Sequence, residues 1–249
     1  MSSHCESSFP ALDCNYFSSY NLIVACVGVG NVAQLACDLL IYNLGCDVIS
    51  SLNFEYCPSV VGINPYRLPG DVHGLMTTSQ IYANPELQLA VLQIRAPPSP
   101  VPNESMSRSF SFATILKDEE LNSAPLQYAL SSSFCASDRK RFDELDWYPL
   151  KKYSDHLDCQ LSVVYYLPGC GIASYLFEEL LKHEEISACL LNLFTSEGDN
   201  SGDALYVVQH LNNWLQFKAQ HGVKDISFQW SLPPSWSYLF GTDPVDELY

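Results

Sequence analysis

Apolar positions change their spacing along this chain of 249 residues, and the changes divide it into elements. Residues 22–27, LIVACV, are an unbroken apolar run of strand length. A glycine turn follows, Gly28-Val29-Gly30-Asn31. Val32, Leu35, Ala36, Leu39 and Leu40 then fall on one face of a helix. Strand, tight turn and helix in that order is how an α/β sheet begins. Residues 47–54 predict a second strand, and residues 57–69 a turn-rich connection containing VGINPY. Runs 75–83 and 87–95 are β-like and flank Asn84-Pro85-Glu86, the arrangement of a hairpin. Pro97, Pro98, Pro100 and Pro102 make residues 96–107 an extended loop.

The pattern weakens and then returns. Residues 112–121 are a helix candidate and 126–134 a strand, whereas 135–158 are polar, charged and poorly periodic. Residues 161–167 predict a strand, 168–171 a turn, 172–182 an amphipathic helix and 186–194 an apolar strand. Residues 195–201, TSEGDNS, form a turn into a helix over 202–219, with Ala204, Val207, Val208, Leu211 and Leu215 on one face. Asn200 is placed to cap it, and Asp203 in its first turn favours the helix dipole. Strands alternating with helices predict an α/β fold with a mostly parallel sheet covered on both faces. No low-complexity linker divides the chain. One domain over 1–249 is therefore expected, with residues 1–20 as an extension and 222–249 as an irregular tail.

Charge narrows the function classes. The net charge is −16 with only 12 Lys+Arg. Such a chain repels phosphate backbones and anionic lipid, so neither nucleic acid nor a membrane surface is an expected partner. Solubility alone accounts for the acidity; a basic protein partner is the other reading. Residues 22–42 are apolar enough to resemble a membrane span, but Gly28, Gly30, Asn31, Gln34 and Asp38 interrupt them and the period changes midway, which predicts core. The first residues, MSSHCESSFPALDC, have neither the basic start of a secretory signal nor the arginines of a mitochondrial presequence. None of the 10 cysteines forms a C-x-x-C pair, and several sit inside apolar patterns. They read as small hydrophobes in a reducing cytosolic or nuclear compartment, not as a zinc site. Arg139-Lys140-Arg141 with Lys151-Lys152 reads either as a nuclear localisation signal or as a solvated edge.

Three places carry candidate chemistry. Gly28-x-Gly30-x-x-Ala33 is a dinucleotide fingerprint if the turn cradles a pyrophosphate and Glu55 meets the ribose. The alternative is a turn where only glycine lets the backbone pass. Cys170 lies between two glycines at a strand-to-helix turn, where a helix N-terminus favours a thiolate. As a hydrolase nucleophile it needs a base from His156, His183 or His210, oriented by Glu197 or Asp199; otherwise it is a bystander in a glycine turn. Glu197-Gly198-Asp199-Asn200 reads as an acid/base or metal pair, or more simply Gly198 makes the turn and Asp199 or Asn200 caps the following helix. No cofactor or metal is expected. An α/β enzyme using Gly28 and Gly30 for a nucleotide, or Cys170 as a nucleophile, stands as the alternative function.

Five blocks resemble one family. GVGNVAQLACDLLI (28–41), VGINPY (61–66), LPGCGIASYLFEEL (167–180), FTSEGDNSGDALYVVQHLNNWLQ (194–216) and PPSWSYLFG (233–241) are similar, in order, to the proteasome assembly chaperone 2 family. The third block departs from it, since the family usually carries glycine where Cys170 stands. The resemblance implies a three-layer αβα sandwich without catalytic activity. It implies a heterodimer with proteasome assembly chaperone 1 that binds proteasome α-ring subunits and promotes α-ring and core-particle assembly, in cytosol and nucleus. Members of this kind dock a hydrophobic–Tyr–X tail between α subunits. Here the tyrosine, Tyr249, is the last residue given, one position out of register. Trp236, Phe240, Leu248 and Tyr249 are the candidate partner contacts, with packing onto the chain's own domain as the alternative for Trp236 and Phe240.

Overall fold

The computed structural model describes residues 17–54, 57–67, 74–97, 126–150, 165, 167, 170–217 and 229–238. They group into two compact units. One draws on Met1–Ala25, Gln34–Ser99 and Phe217–Tyr249, the other on Cys26–Ala33 and Pro100–Gln216.

The first unit contains β1 Asn21–Ala25, β2 Asp47–Ser51, β3 Val61–Ile63, β4 Leu75–Thr77, β5 Ser79–Asn84 and β6 Leu89–Ile94. It also holds all but the first two residues of helix α1, Val32–Asn43. Its main sheet runs β1-β6-β5-β2. The expected hairpin is β5–β6. Its turn closes because the Asn84 side-chain oxygen accepts from the Glu86 and Leu87 amides at 2.9 and 3.2 Å, an Asx turn in which Asn substitutes for a backbone carbonyl. Strand β1 lies parallel to β6, with Leu22 opposite Ala90. Residues 34–41 of α1 are all buried, so the helix is covered on every side, as its nearly continuous apolar sequence requires. The span-like stretch is thus a strand plus a helix of 12 residues. That helix is about 18 Å long, against about 30 Å of bilayer core. Among the described residues no helix is long and apolar enough to cross a membrane.

The expected strand over 75–83 divides at Thr78. Its hydroxyl donates to the Pro58 carbonyl at 2.6 Å and accepts from the Val60 amide at 2.8 Å. This side-chain pairing takes over where a ladder would continue. Beyond the break β4 pairs with β3 as a separate two-stranded ribbon, Ile63 opposite Leu75 and Val61 opposite Thr77.

The second unit contains β7 Gln127–Leu130, α2 Ala136–Glu144, β8 Tyr148–Pro149, α3 Ala173–Leu180, β9 Cys189–Asn192 and α4 Ser201–Leu215. Its sheet runs β8-β7-β9. Alternation along the strands sends side chains to two cores. Leu126 and Tyr128 pack with Phe142 of α2, Trp147 and Trp214 of α4. Ala129 and Ala188 pack on the other side with Phe177 of α3. This unit is therefore the expected αβα sandwich, α3 on one face and α2 with α4 on the other. Helix α2 lies where sequence periodicity predicted no element. It buries little besides Phe142 and is started by a cap instead, the Asp138 carboxylate accepting from the Cys135 amide at 2.8 Å.

The mixed α/β class is as the sequence implied, but the balance of pairing is not. Among the described pairings two are parallel, β1–β6 and β7–β8, and four are antiparallel. Short connections such as Pro85–Gln88 permit antiparallel neighbours, whereas parallel ones need a crossover. The proline loop beyond residue 97, the helix candidate at 112–121 and most of the strand at 161–167 lie outside the described residues. Burial pushes the thiols of Cys46 and Cys189 up to about 12 and, together with the nearby Cys170, that of Cys26 to about 11. The described cysteines are thiols, not disulfides.

The aromatic core of the second unit has a titratable edge. The indole N–H of Trp147 donates to Nδ1 of His210 at 2.7 Å, so His210 must be the neutral Nε2–H tautomer. Burial lowers its pKa, and the nearby Asp146 only partly opposes this. A depressed histidine pKa means that the unfolded chain binds more protons; stability is complete above the unfolded value of about 6.5 and falls as pH drops through it. The melting temperature should decline between pH 7.5 and 5.5, and His210→Gln should flatten that slope, as differential scanning calorimetry at several pH values will record.

Candidate functional site

The glycine turn is where a nucleotide site would stand. The chain leaves β1 through an extended Gly28 (φ −135°, ψ 179°) and makes a 3-10 turn, Val29–Asn31, into α1. Gly30 is left-handed at φ 77°. A pyrophosphate needs open space beyond such a turn, and here side chains fill it. A β-carbon on Gly30 would lie 2.5 Å from the Asn200 side-chain nitrogen and 2.9 Å from the Thr195 hydroxyl. That Asn200 nitrogen donates to the carbonyls of Gly30 and Ser196 at 3.0 Å and of Gly198 at 3.3 Å. Gly30 thus admits protein, not phosphate. Gly28 needs no glycine on conformational grounds, because any residue adopts its extended backbone. Glu55 lies outside the described residues.

Of the two residues expected to cap α4, Asn200 is not the one. Its side chain makes no cap bond to α4. Asp199 does that work, its Oδ1 accepting from the amide and hydroxyl of Ser201 at 2.9 and 2.6 Å. Gly198, at φ 140°, makes the turn and Asp199 the cap.

Cys170 is half-buried, and its thiol lies 3.9 Å from the Gly171 carbonyl. Gly171 is left-handed at φ 57°, and a β-carbon there would collide with the Val27 carbonyl oxygen. The proposed bases are engaged elsewhere: His183 faces Glu185 at 3.2 Å and Nδ1 of His210 accepts a hydrogen bond from the Trp147 indole. His156 lies outside the described residues. No described acid or base joins Cys170 into a nucleophilic relay.

A buried polar cluster in the first unit gave no motif signal. Asp38 of α1 is buried and accepts from Arg95 at 2.7 and 3.3 Å, from Gln93 at 2.8 Å and from the Tyr66 hydroxyl at 2.7 Å. Arg95 also donates to the Tyr66 oxygen at 2.8 Å, and Gln93 to the Gln34 carbonyl at 2.9 Å. Burial alone would lower the Arg95 pKa, but the facing Asp38 overrides it and the guanidinium is held charged. Burial, then the Asp38 charge, drives the Tyr66 phenol well up. Neither group is poised for proton transfer near neutral pH. The cluster is a clasp joining α1, the end of β6 and the turn after β3. The available signal was Asp38 itself: an acid inside an apolar helix demands a buried partner.

Of the four candidate partner contacts, Trp236 lies in a 3-10 turn, Pro234–Tyr238, and is only 5% exposed. The turn is tied to the VGINPY segment by the Ser235 amide, which donates to the Pro65 carbonyl at 3.2 Å. Burial removes Trp236 from the surface that a partner meets. Phe240, Leu248 and Tyr249 lie outside the described residues.

Residues 22–117 match the model of the PAC2 family. Proteasome assembly chaperone 2 of Danio rerio is 35% identical over 247 residues, 91% of this chain and 93% of that protein. This chain belongs to the proteasome assembly chaperone 2 family. The Homo sapiens member is 31% identical over 261 residues, 96% of each chain. The crystal structure of Pyrococcus furiosus PbaA, an archaeal homolog of proteasome-assembly chaperone, shares the fold: the TM-score is 0.50 at 15% identity, covering 86% of this chain and 84% of that one. The blocks that carried the family resemblance now have structural work. GVGNV supplies Gly30, TSEGDNS supplies its partner Asn200, and VGINPY ends on the Tyr66 clasp.

Gly171→Ala should destabilise more than Gly30→Ala, because a backbone oxygen blocks the first and side chains the second. Each should cost about 1 kcal/mol or more from the positive φ alone, read from urea midpoints, and added NAD should leave the wild-type melting temperature unchanged. Asp38→Ala strands the partly buried Arg95 guanidinium. Its unfolding free energy should fall by about 3–5 kcal/mol, a loss that Asp38→Asn only partly reproduces.

Proposed function

We propose that the chain is a non-enzymatic proteasome assembly chaperone. It works as a heterodimer with proteasome assembly chaperone 1, binds proteasome α subunits, and promotes α-ring and core-particle assembly in cytosol and nucleus. The observation that carries this reading is the 35% identity across 91% of the chain to a relative bearing that name. Chemistry on the described surface agrees with it. The glycine turn is filled by Asn200, and the Asp38 and Arg95 charges answer each other. Action through binding surfaces needs neither a cofactor nor a reactive side chain, and Phe240, Leu248 and Tyr249 stand as tail contacts to the α subunits.

The test is recovery of tagged chain from native extract with identification of its companions. Proteasome assembly chaperone 1 and α subunits lacking mature β subunits are the expected companions. Their absence, or recovery only with mature core particles, overturns the reading.

A further inference from the structure

Among the described residues of the first unit, the ribbon β3–β4 holds the most exposed large apolar side chains. Pairing register puts Val61, Ile63, Leu75 and Thr77 on one face, since Val61 opposes Thr77 and Ile63 opposes Leu75. That face is exposed: 60% for Val61, 84% for Ile63 and 73% for Leu75. The opposite face carries Gly62 and the partly covered Met76. Two strands of three residues are marginal alone in water. Proteins guard exposed strands with charge, proline or a bulge, and neither VGI nor LMT has a charged residue or a proline. At its Val61–Thr77 end the ribbon runs into a groove of about 180 Å³ lined by Phe54, Cys57, Val60 and Val61, room for about one aromatic side chain.

Charge and chemistry select the occupant. A second copy would bring another −16 of net charge to the complex, and like charge disfavours self-association. The face is branched aliphatic and uncharged, the composition of a permanent subunit interface and not of a polar, transient client contact. We infer that the β3–β4 face with its groove is the seat of the constitutive partner subunit, a different chain without this excess of acid, which lays an apolar surface over Val61, Ile63 and Leu75 and inserts one side chain beside Phe54. This rests on the assembly-chaperone reading and adds the surface to it.

The experiment measures the affinity of the full chain for recombinant proteasome assembly chaperone 1, with recombinant α subunits as a second probe and sedimentation of the chain alone. Ile63→Asp and Leu75→Asp should each weaken chaperone 1 binding by about tenfold or more. Leu22→Asp, at an exposed leucine of β1 (59%), should change it by less than about threefold. Ile63 is so exposed that its variant should melt like wild type, which separates lost binding from lost folding. Unchanged affinity in both ribbon variants overturns the inference. So does wild-type self-association abolished by Ile63→Asp, which would make a second copy the occupant, or loss of α subunits with chaperone 1 retained, which would make the ribbon a client surface. A wild-type chain that binds neither probe overturns the assembly reading itself, and this inference with it.

Discussion

A carboxylate placed inside an apolar helix has to be answered, and the answer organises the first unit. Asp38 sits among Leu35, Ala36, Leu39 and Leu40, where an unpaired charge would be prohibitive. Arg95 and Gln93 come to it from the end of β6, and Tyr66 from the turn that follows β3. Three segments distant in sequence are thereby fixed to one pair of oxygen atoms. Because Tyr66 closes the VGINPY turn, β3 is positioned by a clasp that it does not itself contain. The neighbouring Pro65 carbonyl receives the Ser235 amide, and Asn43 at the end of α1 exchanges hydrogen bonds with Ser231. Buried pairs of this kind contribute more to a unique arrangement than to net stability. That is what a protein that works by presenting surfaces requires.

The second unit is held by close approach, not by charge. Two left-handed glycines, Gly30 and Gly171, let main chain and side chains come nearer than a β-carbon would allow. Asn200 then reaches three carbonyls with the two N–H groups of one amide nitrogen, the longest of the three bonds being shared. The same glycine spacing in a dinucleotide enzyme opens the turn to a phosphate. Here the third party is the loop before α4. One local sequence pattern thus serves two ends, and what stands opposite the turn decides between them.

Much of the fold was legible in the sequence because it rests on local periodicity. The β1–turn–α1 joint, the β5–β6 hairpin, α3, β9 and α4 all lie where apolar spacing placed them, within a few residues. What escaped depends on single polar atoms. Thr78 ends a strand by bonding to the 58–60 segment, and Asp138 starts a helix that has almost no apolar stripe. The sequence left the cap open between Asp199 and Asn200, since either residue type caps a helix and only the position of Gly30 separates them. Of the candidate site, the structural role of Gly30 was legible. The ribbon was not, because exposure of Ile63 and Leu75 follows from a register that no short window contains.

The raised thiols of Cys26, Cys46 and Cys189 have a practical side. Burial keeps these thiols protonated at pH 7 more completely than an ordinary cysteine. Since only the thiolate reacts, these sulfurs are slow to react while the fold is closed. When either unit opens they regain ordinary reactivity, so each unit carries its own reporter of opening, Cys46 in the first and Cys189 in the second. A pulse of an alkylating reagent, read by mass, would time the opening of each unit separately in the unmodified chain.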